Sequence, residues 1–257
     1  MVTPHPLDPV DFSPRFAEAA RAAGFRSQLL GDTNGHPLLA YTKRTAGPRP
    51  RVYLSSGIHG DEPAPPWALL RLAQEGFFDD RCNWFVCPLL NPTGFLRRTR
   101  ENLGGIDLNR DYKLPRSQEI KAHVSWLQHQ PNFDLIICLH EDWESKGFYL
   151  YELNPRHRPT LAHAMIGAAR SHSPIEMDAV IDGRESAEPG IIRPVSDPLL
   201  RELWPEAIYL HAHHGPLDYT IETTSAQPLE QRIATQCAVI KAALEEFLRW
   251  NPASGRV

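Results

Sequence analysis

The chain has 257 residues, 42% of them hydrophobic and 9% aromatic, which suits one large domain or two small ones with a proper core. A formal net charge of −4 offers no basic face for nucleic acid, and no stretch approaches the apolar length of a membrane span. Residues 1–14 show neither a basic head nor an apolar run, so no signal peptide is expected. The four cysteines lack metal-type CxxC spacing and read as reduced thiols of a cytoplasmic protein.

In chain order, Phe16 to Ala23 reads as a short helix closed by Gly24, and two β-like runs follow around Asn34-Gly35, a hairpin signal. Val52 to Leu54 is a short apolar strand that leads through a glycine-punctuated turn into a helix with Pro63, Pro65 and Pro66 in its first turn and an apolar face from Ala68 to Ala73, ending at Gly76. Trp84 to Leu90 is a further apolar run. Residues 91–115 are polar with little periodicity and read as a long loop, and such loops in compact domains are usually functional or disordered. Ser117 precedes a helix with Ile120, Val124 and Leu127 on one face, and Leu135 to Leu139 is a buried strand run ending at His140. Phe148 to Leu153 reads as a strand and Leu161 to Ala169 as a helix. The proline-rich segment 182–207 reads as a flap over a site. Ile208 to His213 and Tyr219 to Thr223 read as late strands joined by a tight turn around Gly215-Pro216, before a long helix from Leu229 to Trp250. Strands alternating with helices imply an α/β fold on a mainly parallel sheet, with antiparallel strands added by the early hairpin. Residues 1–257 are expected to form a single catalytic domain.

The chemistry is concentrated at strand exits, where open α/β sheets bind ligands. His59-Gly-Asp-Glu62 follows the first apolar strand, and its His and Glu can converge on one metal, although an acidic turn before a helix has the same look. A catalytic zinc needs about three protein ligands. His140, at the exit of another buried strand, is the candidate third, and a histidine that merely caps its strand is the alternative. A hydrolase also needs a general base, for which Glu222 is placed, and a cation for developing negative charge. Arg97, Arg98 and Arg100 stand in the long polar segment with Asn109-Arg110 after them, and an arginine fork suits a carboxylate.

Four blocks in this order resemble the zinc carboxypeptidases of the M14 type and their amidase relatives: His59-Gly-Asp-Glu62, Asn91-Pro-Thr-Gly94 leading to Arg100, Gly105-Ile-Asp-Leu-Asn-Arg110, and His140 followed by Glu222-Thr. The resemblance covers about residues 52–225. It implies an α/β/α sandwich around a mixed sheet and one zinc on His59, Glu62 and His140. It also implies Glu222 as general base, Arg100 polarising the scissile carbonyl, and Asn109 and Arg110 gripping the substrate's free α-carboxylate. The expected reaction is hydrolysis, by zinc-activated water, of a peptide or peptide-like amide bond beside a C-terminal carboxylate. The short Glu62-to-His140 spacing is similar to that of the small bacterial amidases of the group. Two features depart from the pattern: no flap tyrosine can be placed among Tyr149, Tyr151 and Tyr209, and Thr93 stands where an acidic residue is expected.

Other readings remain beside it. The succinylglutamate desuccinylase and aspartoacylase relatives share the HxxE, the distant His and the late Glu, and cleave an N-acyl group from a small amino acid. His211-Ala-His213 offers an alternative metal pair, with both imidazoles on one face if the segment is a strand. A binding module that has kept the fold and lost activity is a further class. Arg184 and Arg193, in the segment 182–207, are candidates to read an acidic side chain of the substrate.

Overall fold

The structure, a computed structural model, describes residues 7–215 and 217–250. Pro216, in the turn expected at Gly215-Pro216, lies outside the described residues, as do residues 1–6 of the segment 1–14 on which the leader expectation rests. Helix α1 (Pro9–Ala22) begins upstream of Phe16 because the Asp8 side chain accepts from the Val10 amide and Pro9 takes the first helical position. Strands β1 (Arg26–Thr33) and β2 (His36–Lys43) form the expected hairpin, with Asn34 and Gly35 at φ 53° and 82° as its tight turn requires. β3 (Arg51–Ser55), α2 (Ala64–Gln74) and β4 (Asn83–Cys87) follow. The long polar segment contains α3 (Pro92–Arg97) and a 3-10 turn at Leu108–Arg110, and α4 (Gln118–Leu127) starts from a Ser117 cap. Then come β5 (Leu135–Asp142), β6 (Tyr149–Leu153) and α5 (Ala162–Ala169). Two-residue strands β7 (Val180–Ile181), β8 (Arg184–Glu185) and β9 (Ile191–Ile192) lie in or beside the proline-rich segment.

The run Ile208 to His213 is not a strand but part of helix α6 (Glu206–His213), launched from Pro205. A short apolar run has no periodicity that separates the two states, and here the Pro-Glu start signal decides. Strand β10 (Asp218–Thr224) and helix α7 (Leu229–Trp250) complete the described chain.

Eight strands form one mixed sheet in the order β1-β2-β4-β3-β5-β10-β6-β9. The central four, β4, β3, β5 and β10, are parallel, and the hairpin strands and β6 add antiparallel pairs. Side chains alternate between two cores. Val52, Leu54, Leu135, Ile137, Leu139 and Ile221 pack under α1, α2, α5 and α7, while Tyr53, Phe85, Ile136 and Cys138 pack under α4 and α6. The result is an α/β/α sandwich, whose central strands are buried on both faces and so read as continuous apolar runs. All four cysteines are free and buried, and Cys82 and Cys87 enter opposite cores.

Two devices hold the site's supporting segments. The first is a backbone clamp. Asn91 accepts from the Gly94 amide (2.9 Å) and donates to the carbonyls of Ile58 (3.0 Å) and Arg100 (3.2 Å). Gly60 donates to the Thr99 carbonyl at 3.0 Å, and a Cβ on Gly60 would lie 2.0 Å from the Gly94 carbonyl carbon. Asn91-Pro-Thr-Gly94 therefore ties the His59 turn to the Arg100 segment, and its glycine leaves room for that crossing.

The second is a buried polar chain below β3. Tyr53 donates to Glu206 Oε1 (2.7 Å) and Ser55 to Oε2 (2.9 Å). With the Tyr53 proton so committed, His123 Nε2 donates to the Tyr53 oxygen (3.0 Å) while Nδ1 accepts from Tyr112 (2.8 Å). The neutral ring is fully satisfied, and burial, helped by His214, lowers the His123 pKa to about 3.

Between the unfolded-chain pKa of about 6.5 and the folded value, the unfolded chain binds a proton that the folded ring refuses. Stability is therefore expected to fall as pH drops through that window, by about 1.4 kcal/mol per pH unit from this group. Urea unfolding at stepped pH should show a shallower acid slope for His123→Gln, and identical slopes would contradict the assignment. Gly60→Ala is expected to destabilise the fold by about 3 kcal/mol and to weaken metal uptake, because backbone rather than a mobile side chain must yield. Thermal unfolding with zinc titration measures both, and a wild-type melting curve would rule out the clamp.

Candidate metal centre and active-site cleft

His59 and Glu62 come from the turn between β3 and α2, and His140 from the exit of β5. His140 shares its strand face with Ile136 and Cys138, so the alternation that builds the α4/α6 core also aims the imidazole. Glu62 joins the three residues, with Oε1 2.5 Å from His59 Nδ1 and Oε2 3.0 Å from His140 Nδ1. One potential ligand atom from each lies within 4.8 Å of the others, and all three residues are buried. Burial works against an ionised Glu62, yet His59 and His140 hold its carboxyl well below the usual range. Two imidazole nitrogens and a carboxylate, buried and convergent, match the donor set of a catalytic zinc site.

Asp107 acquires a place that sequence reasoning leaves unassigned, although it belongs to the Gly105–Arg110 block. Its Oδ1 is 3.4 Å from His59 Nε2 and its Oδ2 accepts from Arg100 Nε at 3.0 Å. A carboxylate behind a metal-ligating imidazole fixes the ring and its tautomer. The same contact turns Arg100 so that Nη1 stands 3.3 Å from His59 Nδ1 and 3.8 Å from Glu62. Glu141, next to His140, is buried against Arg232 of α7 and accepts from the Ala64 amide, anchoring the β5 exit.

Glu222 lies on β10 beside His140 in the parallel register and opposite Tyr149 of β6. Burial pushes its carboxyl well above the ordinary range, His140 opposes this, and Glu62, Asp142 and Asp182 reinforce it. Asn109 spends its Oδ1 on the Glu206 amide at the start of α6 (2.9 Å). Arg110 is steadied by a bond from Nη1 to the Asn109 carbonyl (2.7 Å) and is in no ion pair among the described residues. The seven residues His59, Glu62, Arg100, Asn109, Arg110, His140 and Glu222 all line one cleft of about 600 Å³.

The segment 182–207 contributes to the same cleft. Arg184 lines it, as does Arg201, which sequence reasoning misses because a single arginine among prolines carries no pattern. Burial, with Arg184 and Arg110 nearby, lowers the Arg201 pKa, so the three guanidiniums share one region. Arg193 is engaged elsewhere, with Glu152 at 2.6 Å and Glu188 at 2.5 Å. Tyr149 and Tyr151 line the cleft and donate to Asp142 and Asp182, whereas Tyr209 packs in α6 against Tyr112. The alternative metal pair does not form: on helix α6 residues two apart point away from each other, and His213 packs on Tyr209 with centroids 4.6 Å apart.

A sequence profile described as the succinylglutamate desuccinylase/aspartoacylase catalytic domain matches residues 48–248. A proposed metallopeptidase of Shewanella amazonensis superposes with a TM-score of 0.83 at 27% identity, covering 93% of each chain. A metallo-carboxypeptidase of Burkholderia cenocepacia superposes at 0.66 with 20% identity, covering 92% of this chain and 69% of its own, a likeness of fold. Carboxypeptidase D of Anas platyrhynchos is 31% identical over 153 residues, which span 44% of this chain and 11% of that protein. The chain belongs to the succinylglutamate desuccinylase/aspartoacylase catalytic-domain family and is M14-like.

Proposed function

We propose that the chain is a zinc-dependent carboxypeptidase, acting as one catalytic domain on a peptide or peptide-like amide bond next to a free C-terminal carboxylate. The observation that carries this reading is the convergence of a His-Glu-His donor set, an arginine beside it, an Asn-Arg pair and Glu222 on one cleft. Zinc held by His59, Glu62 and His140 would supply Lewis-acid polarisation and acidify water. Glu222 takes the proton of the attacking water and passes it to the leaving amine. Burial raises its pKa, which makes the carboxylate a stronger proton acceptor than a solvated one. Arg100, held by Asp107, meets negative charge growing on the carbonyl oxygen. Asn109 and Arg110 hold the terminal carboxylate, Arg110 through its fork. The free, buried cysteines support a reducing compartment such as the cytoplasm.

The second reading is N-acyl amino acid deacylation, favoured by the description of the family that matches residues 48–248. The same residues would perform it, with the amino acid's carboxylate on Asn109 and Arg110. The cleft volume of about 600 Å³ leaves room for more than a small acyl amino acid, which supports the peptidase.

Elemental analysis of wild type and Glu222→Gln, each assayed on a C-terminal-residue peptide library and on succinyl and acetyl amino acids, tests both. Zinc near one per chain is expected in both proteins, with turnover of peptides lower in Glu222→Gln by on the order of 100- to 10,000-fold. Zinc with turnover confined to acyl amino acids selects the deacylase, and a zinc-free wild type refutes the metal site.

A further inference from the structure

The floor of the cleft holds a group that this reaction does not use. β10 sends Tyr219 and Ile221 into one core and turns Asp218, Thr220 and Glu222 to the cleft on its other face. Asp218 is only 1% exposed, and neither carboxylate oxygen has a hydrogen-bond partner among the described residues. A buried carboxyl without donors is costly, so folded proteins nearly always supply them. The chain does not. The nearby Glu206 is an acceptor already committed to Tyr53 and Ser55, and burial together with that acid raises the Asp218 pKa. A molecule that enters the cleft can supply the missing donor.

The surroundings say what kind of donor fits. Leu153 stands opposite Asp218 in the β10–β6 register, and Pro205, Ala207 and Ile208 from the start of α6 line the same cleft. These are walls for a hydrocarbon stem. Asp218 lies four residues from Glu222, about 13 Å along the strand. Taking about 3 Å at each end for a hydrogen bond leaves ~7 Å, the length of an extended four-carbon stem ending in an ammonium.

We propose that Asp218 is the specificity-determining residue of this cleft and accepts the ammonium of a lysine-like side chain on the residue released. The methylenes pack on the apolar walls while the charged head reaches the buried acid, the usual division of labour for such a side chain. The proposal rests on the carboxypeptidase reading, and its test separates the two.

Peptides differing only in a C-terminal lysine, norleucine or glutamate are given to wild type and Asp218→Asn. Wild type is expected to favour lysine over norleucine by on the order of 10- to 100-fold in kcat/KM, mainly through KM, with the ratio falling towards one in Asp218→Asn. Calorimetry of free lysine against free norleucine on Glu222→Gln should show the same ranking without turnover, and it decides the matter if Asp218→Asn fails to fold. Equal release of lysine and norleucine by wild type overturns the proposal while the peptidase reading stands. Preferential release of glutamate also overturns it, in favour of Arg184 and Arg201 as the selecting groups. Hydrolysis of acyl amino acids alone overturns the peptidase reading and the proposal with it.

Discussion

An ionised carboxylate inside a protein is tolerated only when its neighbours neutralise it, and Glu62, 5% exposed, sits under that constraint. Two imidazoles supplied by separate elements satisfy it, His59 from its own turn and His140 from the adjacent parallel strand. Bringing them together requires the turn after β3 to come within backbone contact of the Asn91-Pro-Thr-Gly94 segment, which only a glycine at position 60 permits. That segment in turn fixes the chain leading to Arg100, and Arg100 shares Asp107 with His59. Charge compensation at one residue thus sets the path of the chain from the turn to the cation.

Much of this was legible in the chain itself, because the informative residues are punctuation and polar groups at strand exits. Asn34-Gly35, the apolar parallel strands and the four motif blocks each carry a local signal, and all seven candidate site residues reach one cleft. What was not legible depends on tertiary context. Residues 208–213 are apolar and short, so their state was decided by the preceding Pro205-Glu206. The first turns of α1 and the whole of α3 were missed because their start signals precede polar sequence. Arg201 and Asp218 look like ordinary surface charges until the fold brings one beside two other arginines and buries the other. Arg193 shows the converse: a plausible substrate contact whose charge is used within the protein.

The sheet serves as a ruler as well as a scaffold. Ile136, Cys138 and His140 descend one face of β5 from core to candidate metal centre, and β10 beside it carries Asp218, Thr220 and Glu222 in register. Positions two apart on a buried parallel strand have little freedom to shift, because a slip of one residue would exchange the core and cleft faces. Groups meant to act at different depths of a substrate are therefore held at fixed separation without any loop having to order first.

The free cysteines give the molecule an internal clock. Burial raises the Cys82 and Cys237 thiols to about 12, and pushes Cys87 and Cys138 well above the usual thiol range. Thiolate is the reactive form, so these sulfurs are shielded twice, by exclusion of the reagent and by their protonation. They belong to both cores, with Cys87 on β4, Cys138 on β5, Cys237 on α7 and Cys82 just before β4. An alkylating agent in excess has to wait for the layers around each sulfur to part, so the order in which the four are labelled would record which layer of the sandwich opens first.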